Sequence, residues 1–497
     1  MNANVWLPVM VLASSFIPGM IIFMLPERAV VLRTTLNLGG AVLKIILLVL
    51  MMIGVSHGVT YEFRVPFVPG LDFVLHADAL SLMFVNLSAV LWLATTVYAI
   101  GYLEDSPNRS RFFGYFSLCV TATVGLAMAG NLLTFLVFYE ALTLTTYPLV
   151  VHRGTEAARR AGRTYLIYTL GGGVLLLTGT IWLYSLTGTL EFVDRGFVAG
   201  LGLDPNVLRM IFAVLIMGVG VKAALVPLHA WLPQAMVAPA PVSALLHAVA
   251  VVKAGAFGVV RIVYDVFGIE FAASLGVTLP LAVLAAVTII YGSTRALFQD
   301  DLKRRLAFST VSQVSYITLG VAIAGPIATI GGLVHLVHQG FMKITLFFCA
   351  GNLAETLGVH KVSEMAGAGR RMPWTMTAFT LAAFGMIGVP PMAGFISKWY
   401  LGLGGLEVGQ DWVVLVLAGS SLLNAAYFLP ILRTAWFDPP PEEWPHERDF
   451  GRKETAWALL LPPIATALAA LAWGLFASMP GTPLDWVHLI AARKYAP

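Results

Sequence analysis

The sequence predicts an all-α polytopic membrane protein of about fourteen transmembrane helices. Three observations predict it. Of 497 residues, 58% are hydrophobic and only 11% are charged, against roughly 25% charged in soluble proteins. The apolar residues fall into stretches long enough to cross a bilayer, which takes about 20 residues per helix. Two of those stretches are interrupted by proline close to a lysine, in VKAALVPLHAWLP and GVPPMAGFISKW. The charge deficit excludes a cytosolic enzyme, a disordered chain and an ordinary secreted domain.

Each span has its own justification. The first, 5–25, has no Lys or Arg before it and so lacks the basic n-region of a signal peptide; it reads as a retained helix. The second, 32–54, carries Lys44, with snorkelling or contact with a partner subunit as its open readings. Spans three and four, 80–101 and 112–129, are apolar runs bounded by polar loops. Span five, 131–151, holds Glu140, with Thr143 and Tyr147 at i+3 and i+7 on one helical face. Span six covers 164–186. Span seven, 207–231, contains Lys222 and is broken near Pro227; span eight, 241–264, contains His247 and Lys253. Spans nine and ten cover 272–292 and 305–324. Span eleven, 327–350, places His335 and His338 at i, i+3, with Lys343 beyond. Span twelve, 374–400, is broken at Pro390–Pro391 ahead of Lys398. Spans thirteen and fourteen cover 411–433 and 456–478. The acidic, proline-containing stretch 437–454 reads as a solvated loop, and no soluble domain is expected.

Orientation follows from the basic residues. Nineteen Lys and Arg, from Arg28 to Lys453 and including Arg452, lie in odd-numbered loops; six (Arg64, Arg195, Arg209, Arg261, Arg493 and Lys494) lie on the other side. The positive-inside rule then puts the odd loops in the cytoplasm and both termini outside. The same excess accounts for the net charge of +4 without nucleic-acid binding. Cys119 and Cys349 form no cluster-ligand spacing, so neither a metal site nor another cofactor is expected.

The remaining five basic residues, Lys44, Lys222, Lys253, Lys343 and Lys398, fall inside spans, as does Glu140. A charge at a helix centre costs about 2.5–3.5 kcal/mol on insertion scales, so such residues face the bundle interior and are functional candidates. Prolines near Lys222 and Lys398 free backbone carbonyls, which is tolerated only where the helix is buried in protein or lines a wet cavity. Paired breaks five spans apart point to inverted repeats with an ion site at mid-membrane. The histidine pair on span eleven lacks a carboxylate or thiolate partner and makes a poor metal site. Structural hydrogen bonding and proton relay are its other readings. Buried amines, a carboxylate and imidazoles linked by water would form a proton path parallel to the membrane plane.

Several blocks resemble a known family: ADALSLMFV, FYEALTLTTYPLV, VPLHAWLPQAMVAPAPVSALLHAVAVVKAG, ALFQDDLKRRLAFSTVSQVSY, HLVHQGFMKITLFFCAG and GVPPMAGFISKW. They are similar to the antiporter-like subunits of respiratory complex I, membrane-bound hydrogenases and Mrp-type cation/proton antiporters. The resemblance implies fourteen helices: N-terminal helices over 1–111, inverted five-helix repeats over 112–264 and 272–433, and a C-terminal helix and tail over 455–497. It implies a proton path through Glu140, Lys222, His247, Lys253, His335, His338 and Lys398, with Lys343 and His229 as accessory positions. Lysine at position 398 looks most like the D-type component of Mrp antiporters. The stretch FYEALTLTTYPLVVHRGTEAARRAG instead resembles hydrogenase- and complex I-associated relatives. No counterpart of the long lateral helix of the largest complex I type is expected.

The first reading is therefore a proton-translocating subunit of a Na⁺/H⁺ (or K⁺/H⁺) antiporter, assembled with other membrane subunits in a bacterial or archaeal cell membrane. The alternatives are a pump module in a complex I-like or hydrogenase complex, and a proton-coupled partner of a soluble enzyme. A membrane-embedded transferase or hydrolase is disfavoured, because the titratable groups lie deep in the spans and the loops carry no catalytic motif.

Overall fold

The computed structural model describes residues 3–104, 106–450 and 453–495; Arg452 lies outside them. The elements are α1 (Ala3–Met24), α2 (Val30–Ser56), β1 (Tyr61–Val68), β2 (Leu71–Ala77), α3 (Ala79–Tyr102), α4 (Arg109–Ala127), α5 (Leu132–Val150), α6 (Glu156–Thr187) and α7 (Pro205–Lys222). They continue with α8 (Ala240–Phe267), α9 (Thr278–Leu297), α10 (Leu302–Ala322), α11 (Pro326–Leu357), the half-helices α12a (Pro373–Ile387) and α12b (Ala393–Glu407), α13 (Trp412–Phe437), α14 (Trp457–Leu475) and α15 (Pro483–Tyr495).

Each of the fourteen predicted spans falls on a helix or a broken pair. Among the described residues, eleven helices are long and apolar enough to cross a membrane on their own. The other three spans fall short for visible reasons. The α4 sequence opens with RSR, α10 carries Lys, Arg, Ser, Thr and Gln through much of its length, and the twelfth span is cut into two 15-residue halves. A polar helix can cross only where neighbours bury it, and most of α10 is buried. At the centre stand α8 and α11, whose most apolar windows are wholly buried. The outer helices instead expose Leu144, Ile167, Val174, Ile181, Leu415 and Leu422, as surfaces facing lipid or another subunit do.

Spans four to eight and nine to thirteen have matching internal order. In the first unit α4 packs on α5 and α6 on α7; in the second α9 packs on α10 and α11 on α12b. The fourth helix of each unit is the broken one.

Four features depart from the sequence reading. The segment between α2 and α3 is an antiparallel β-hairpin, paired from Tyr61↔Ala77 through Val68↔Leu71. Helix α6 begins at Glu156, capped by the Thr155 hydroxyl 3.1 Å from the Ala158 amide, so Arg159, Arg160 and Arg163 lie on helix rather than loop. The 437–454 stretch is not simply solvated. Its buried Glu454 accepts from the Trp374 and Thr375 amides at 2.8 and 2.7 Å and so caps α12a. The predicted tail contains α15, clamped by ion pairs: Lys494 bonds Asp194 at 2.6 Å and also bonds Asp265, which bonds Arg261 at 2.6 Å. Arg261 also bonds Asp78, the N-cap of α3, at 2.8 and 3.0 Å. Arg261 and Asp265 are thus partners in a buried ion-pair cluster within the end of α8, not free loop charges.

Candidate functional site

Both helix breaks stand next to a lysine. Helix α7 stops at Lys222, and Ala224 takes a left-handed φ of 56° as the chain turns towards Pro227. The Val221 carbonyl is taken up by the Trp231 indole N–H at 2.8 Å. At the second break Gly388 has φ 93°, and a Cβ there would stand 2.8 Å from Lys398 Cδ. Glycine is therefore required twice over: for the backbone and for room beside the lysine.

Lys222 is fully buried. Its ammonium lies 3.4 Å from the Tyr139 ring centroid and donates to the Tyr139 carbonyl. The Tyr139 hydroxyl donates to the Gly218 carbonyl at 2.8 Å, holding α5 against α7. Glu140, the next residue on α5, interacts electrostatically with Lys222. Among the described residues it makes no ion pair within 4.0 Å, and its buried Oε1 has no hydrogen-bond partner. Room for this carboxylate comes from Gly173 on α6, where a Cβ would lie 1.8 Å from Oε1.

Helix α8 approaches the first break closely, since a Cβ at Gly255 would be 2.0 Å from the Ala223 amide nitrogen. Two residues earlier, Lys253 reaches across to α11 and donates to the Leu336 carbonyl at 2.8 Å. His247 lies in a π-helical turn, Leu245–Val249, a distortion often found at functional sites. Its ring stacks on Phe347 at 4.5 Å, and among the described residues neither ring nitrogen has a hydrogen-bond partner. His247 lies within electrostatic reach of Lys343, Lys343 of Lys253, and His335 of both Lys253 and Lys398.

From Lys343 a hydrogen-bonded line continues to the second break. Lys343 donates to the Ser309 hydroxyl at 2.7 Å, and the Ser309 and Tyr427 hydroxyls bond each other at 2.9 Å. Tyr427 bonds Asn424 at 2.9 Å, and Asn424 donates to the Met386 carbonyl at 3.0 Å. That carbonyl also accepts from Lys398, 3.2 Å away, which bonds Ile387 O at 2.7 Å and Ser421 Oγ at 2.9 Å.

The predicted residues do not all meet. His335 bonds Ser397 at 2.8 Å and lies 5.1 Å from the Tyr316 ring, whereas His338 faces Trp473, 6.3 Å away. The pair shares an α11 turn but looks to different neighbours. His229 sits just past the first break, 5.0 Å from the Tyr291 ring on α9. Among the described residues no group of three or more His, Cys, Asp or Glu is placed to hold a metal ion.

Sequence reasoning missed Tyr139, Gly173, Gly388 and the Ser309–Tyr427–Asn424 line. A signal for the last existed. Ser309, Ser312, Gln313 and Tyr316 recur at i, i+3, i+4 and i+7 on α10, and Ser420, Asn424 and Tyr427 at i, i+4 and i+7 on α13.

Two broken helices, with a row of buried amines between the breaks, define an antiporter-like transport component of a membrane complex. The chain belongs to the NADH:quinone oxidoreductase/Mrp antiporter membrane family, whose model matches residues 129–424. A second model, the N-terminus of complex I chain 5, matches 70–113. The chain is 37% identical over 419 residues to the N subunit of NADH-quinone oxidoreductase from Desulforudis audaxviator, covering 82% of each. It is 28% identical over 405 residues to the D subunit of the Na(+)/H(+) antiporter from Bacillus subtilis, covering 81% of this chain and 80% of that one. In fold it matches a chain of the Mrp complex from Dietzia, with a TM-score of 0.88 at 23% identity, covering 100% and 98% of the two chains.

Proposed function

We propose that the chain is the proton-translocating, D-type member of an Mrp antiporter, exchanging H⁺ against Na⁺ (or K⁺) beside other membrane subunits. Protons move in the membrane plane through Glu140, Lys222, His247, Lys253, His335, His338 and Lys398, with Lys343 and His229 as accessory positions and water filling the gaps. One observation carries this reading: among the described residues, none of the row's lysines is ion-paired to a carboxylate. Lys222, Lys253, Lys343 and Lys398 bond only to neutral oxygens, carbonyl or hydroxyl. An amine held this way gives up and regains a proton without leaving a buried carboxylate unpaired. The nineteen-to-six distribution of basic residues supports a cell-membrane orientation with the odd loops cytoplasmic and both termini outside.

The test is transport by the assembled complex in proteoliposomes. Glu140→Ala and Lys222→Ala should each abolish proton flux while assembly survives, and Lys398→Ala should block the relay at its far end. Wild-type flux in either of the first two sinks the relay.

A second reading, a redox-driven pump module, is favoured by the higher identity to the NADH-quinone oxidoreductase relative, 37% against 28% for the antiporter one. Co-purification of iron–sulfur or quinone-site subunits in place of small antiporter subunits would select it.

A further inference from the structure

Lys398 differs from the other mid-span lysines in the number of oxygens around it. Among the described residues Lys222 and Lys253 each bond one, the Tyr139 and Leu336 carbonyls, and Lys343 bonds two, the Leu306 carbonyl and the Ser309 hydroxyl. Lys44, outside the relay, is fully buried rather than snorkelling and bonds one, the Ser15 hydroxyl at 2.7 Å. The Lys398 ammonium bonds three: the Ile387 carbonyl at 2.7 Å, the Ser421 hydroxyl at 2.9 Å and the Met386 carbonyl at 3.2 Å. Its three N–H donors thus have three neutral oxygens to meet, and the Tyr316 ring lies 5.5 Å away.

Oxygens arranged to receive an ammonium also suit an alkali cation, which carries the same charge and, for potassium, has nearly the same size. Two of the three are carbonyls at the C-terminal end of α12a, the negative end of the helix dipole. Carbonyls freed at a broken membrane helix are recurrent ligands of transported monovalent ions. A second observation points to the same ligand. Gln313 on α10 is fully buried and donates from Nε2 to the same Met386 carbonyl at 3.4 Å, while its Oε1 has no hydrogen-bond partner among the described residues. A buried acceptor left unpaired costs about 1–3 kcal/mol, and a cation beside Met386 would pair it.

The break lies at the edge of the bundle: Gly388 and Ser421 are half-buried, and Val389, Pro390 and Pro391 are exposed. Irregular backbone at mid-span is not left facing lipid; it is covered by protein or lines a wet cavity. Few titratable groups face Lys398 from the helices around α12b. α11 presents His335, within electrostatic reach, and α10 the Tyr316 phenol. On α13 stand Tyr427, bonded to Asn424, and Arg433, twelve residues beyond Ser421. α12a and α14 carry no ionisable side chain.

We propose that the oxygens around Lys398 are the site where the transported alkali cation binds, in direct competition with the proton on Lys398. The inference rests on the antiport reading above and says where its two ions meet. A hydrated cation enters from a wet cleft that a neighbouring subunit closes over the break. One N–H bond of the ammonium breaks, its electron pair stays on nitrogen, and the proton leaves to water in the cleft. The cation sheds water and takes the place of the charge among the three oxygens and Gln313 Oε1. One positive charge leaves as another arrives, so the buried seat never holds two.

The experiment uses the purified whole complex in weakly buffered detergent solution with a pH dye. Adding NaCl or KCl, against choline chloride at equal ionic strength, should release one proton for each radioactive cation retained. Release with either salt supports the seat; release with neither overturns it. Lys398→Met and Lys398→Arg should each lose one released proton per copy of this chain. Methionine has none to give, and arginine does not give one up. Release at the wild-type level in either variant overturns the proposal. Gln313→Leu supplies a measurement if both fail to assemble, since it removes one oxygen from the seat and keeps the three that hold the ammonium. The cation concentration for half-maximal release should then rise about tenfold, and an unchanged value overturns the proposal. Lys222→Ala separates the two ideas. Proton flux that survives it sinks the relay, whereas flux lost there with cation-driven release unaltered in Lys398→Met sinks only the seat.

Discussion

Substituting one glycine of the Gly171–Gly173 run tests whether the placing of Glu140 governs transport. At Gly173 a methyl group would stand 1.8 Å from Glu140 Oε1 and 2.6 Å from Cδ. An ordinary C···O contact is about 3.3 Å, so the carboxylate oxygen must retreat by roughly 1.5 Å. For a generic charge pair about 5 Å apart at an effective dielectric of about 20, an added separation of about 1.5 Å costs ~0.8 kcal/mol. An off-rotamer glutamate adds about 0.5–1.5 kcal/mol. The sum, ~1.3–2.3 kcal/mol, corresponds to a loss of about tenfold to fiftyfold in a step that depends on this pair. Gly171 supplies the control, since a Cβ there meets nothing within 4 Å. Gly171→Ala should keep wild-type flux and, if anything, stabilise α6. The assay is dye-monitored proton flux in vesicles holding equal amounts of assembled complex. Wild-type flux in Gly173→Ala, or an equal loss in Gly171→Ala, would refute the reasoning.

The other two expectations concern the second unit and the outer cluster. Tyr427→Phe deletes the hydroxyl bonded to Ser309 and Asn424 at 2.9 Å each. It should lower stability by about 1–3 kcal/mol and reduce flux about tenfold; undiminished flux would show that the Lys343–Lys398 line is not used. Asp78→Asn should lower the melting temperature of the complex, because breaking a buried pair costs about 3–5 kcal/mol. Burial opposes the Asp78 charge, but the Arg261 guanidinium outweighs it and holds the carboxyl well below the usual carboxylate range. The stability Asp78 contributes is therefore full above that range and lost only as pH falls through its depressed value. A melting curve recorded from pH 7 to pH 5 should show no Asp78-dependent loss, and an Asp78-dependent midpoint in that window would contradict the pairing.

The helices and the row of lysines were legible in the sequence because both follow from cost. An apolar run of bilayer length has few other homes, and a lysine within one is too costly to be incidental. What depends on tertiary fit was not legible. Gly173 reads as one glycine of three until α5 places a carboxylate against it. The hairpin YEFRVPFV/LDFVLHA was passed over because search for long apolar runs hides a short period of two. Lys44 looked like a snorkelling residue because nothing near it in sequence is polar enough to bond it. Its partner Ser15 is 29 residues away on α1. Glu454 was read as part of a solvated loop for the same reason, since the amides it caps lie 79 and 80 residues earlier.

The structure divides its buried charges into two kinds, and the division argues for which of them move. Arg261, Lys494, Asp78 and Asp265 hold one another in ion pairs at the even-loop ends of the helices. Removing a proton from such a cluster strands an opposite charge in low dielectric, so it is fixed. The five mid-span lysines bond to carbonyls and hydroxyls instead. At Lys398 the acceptors are the Met386 and Ile387 carbonyls, which the break leaves at the C-terminal end of α12a. A helix C-terminus favours a cation by about 0.3–1 kcal/mol, up to ~2 when partly buried. That is a shallow well: enough to hold an ammonium, too little to trap it. The second break thus does more than bend the chain; it exposes neutral acceptors for Lys398, and the proposed relay needs such a lysine to be stable in both protonation states. In the proposed relay Glu140, without an ion pair among the described residues, is the carboxylate beside Lys222 that would bias the row, and this is why the methyl group at Gly173 is the sharper test.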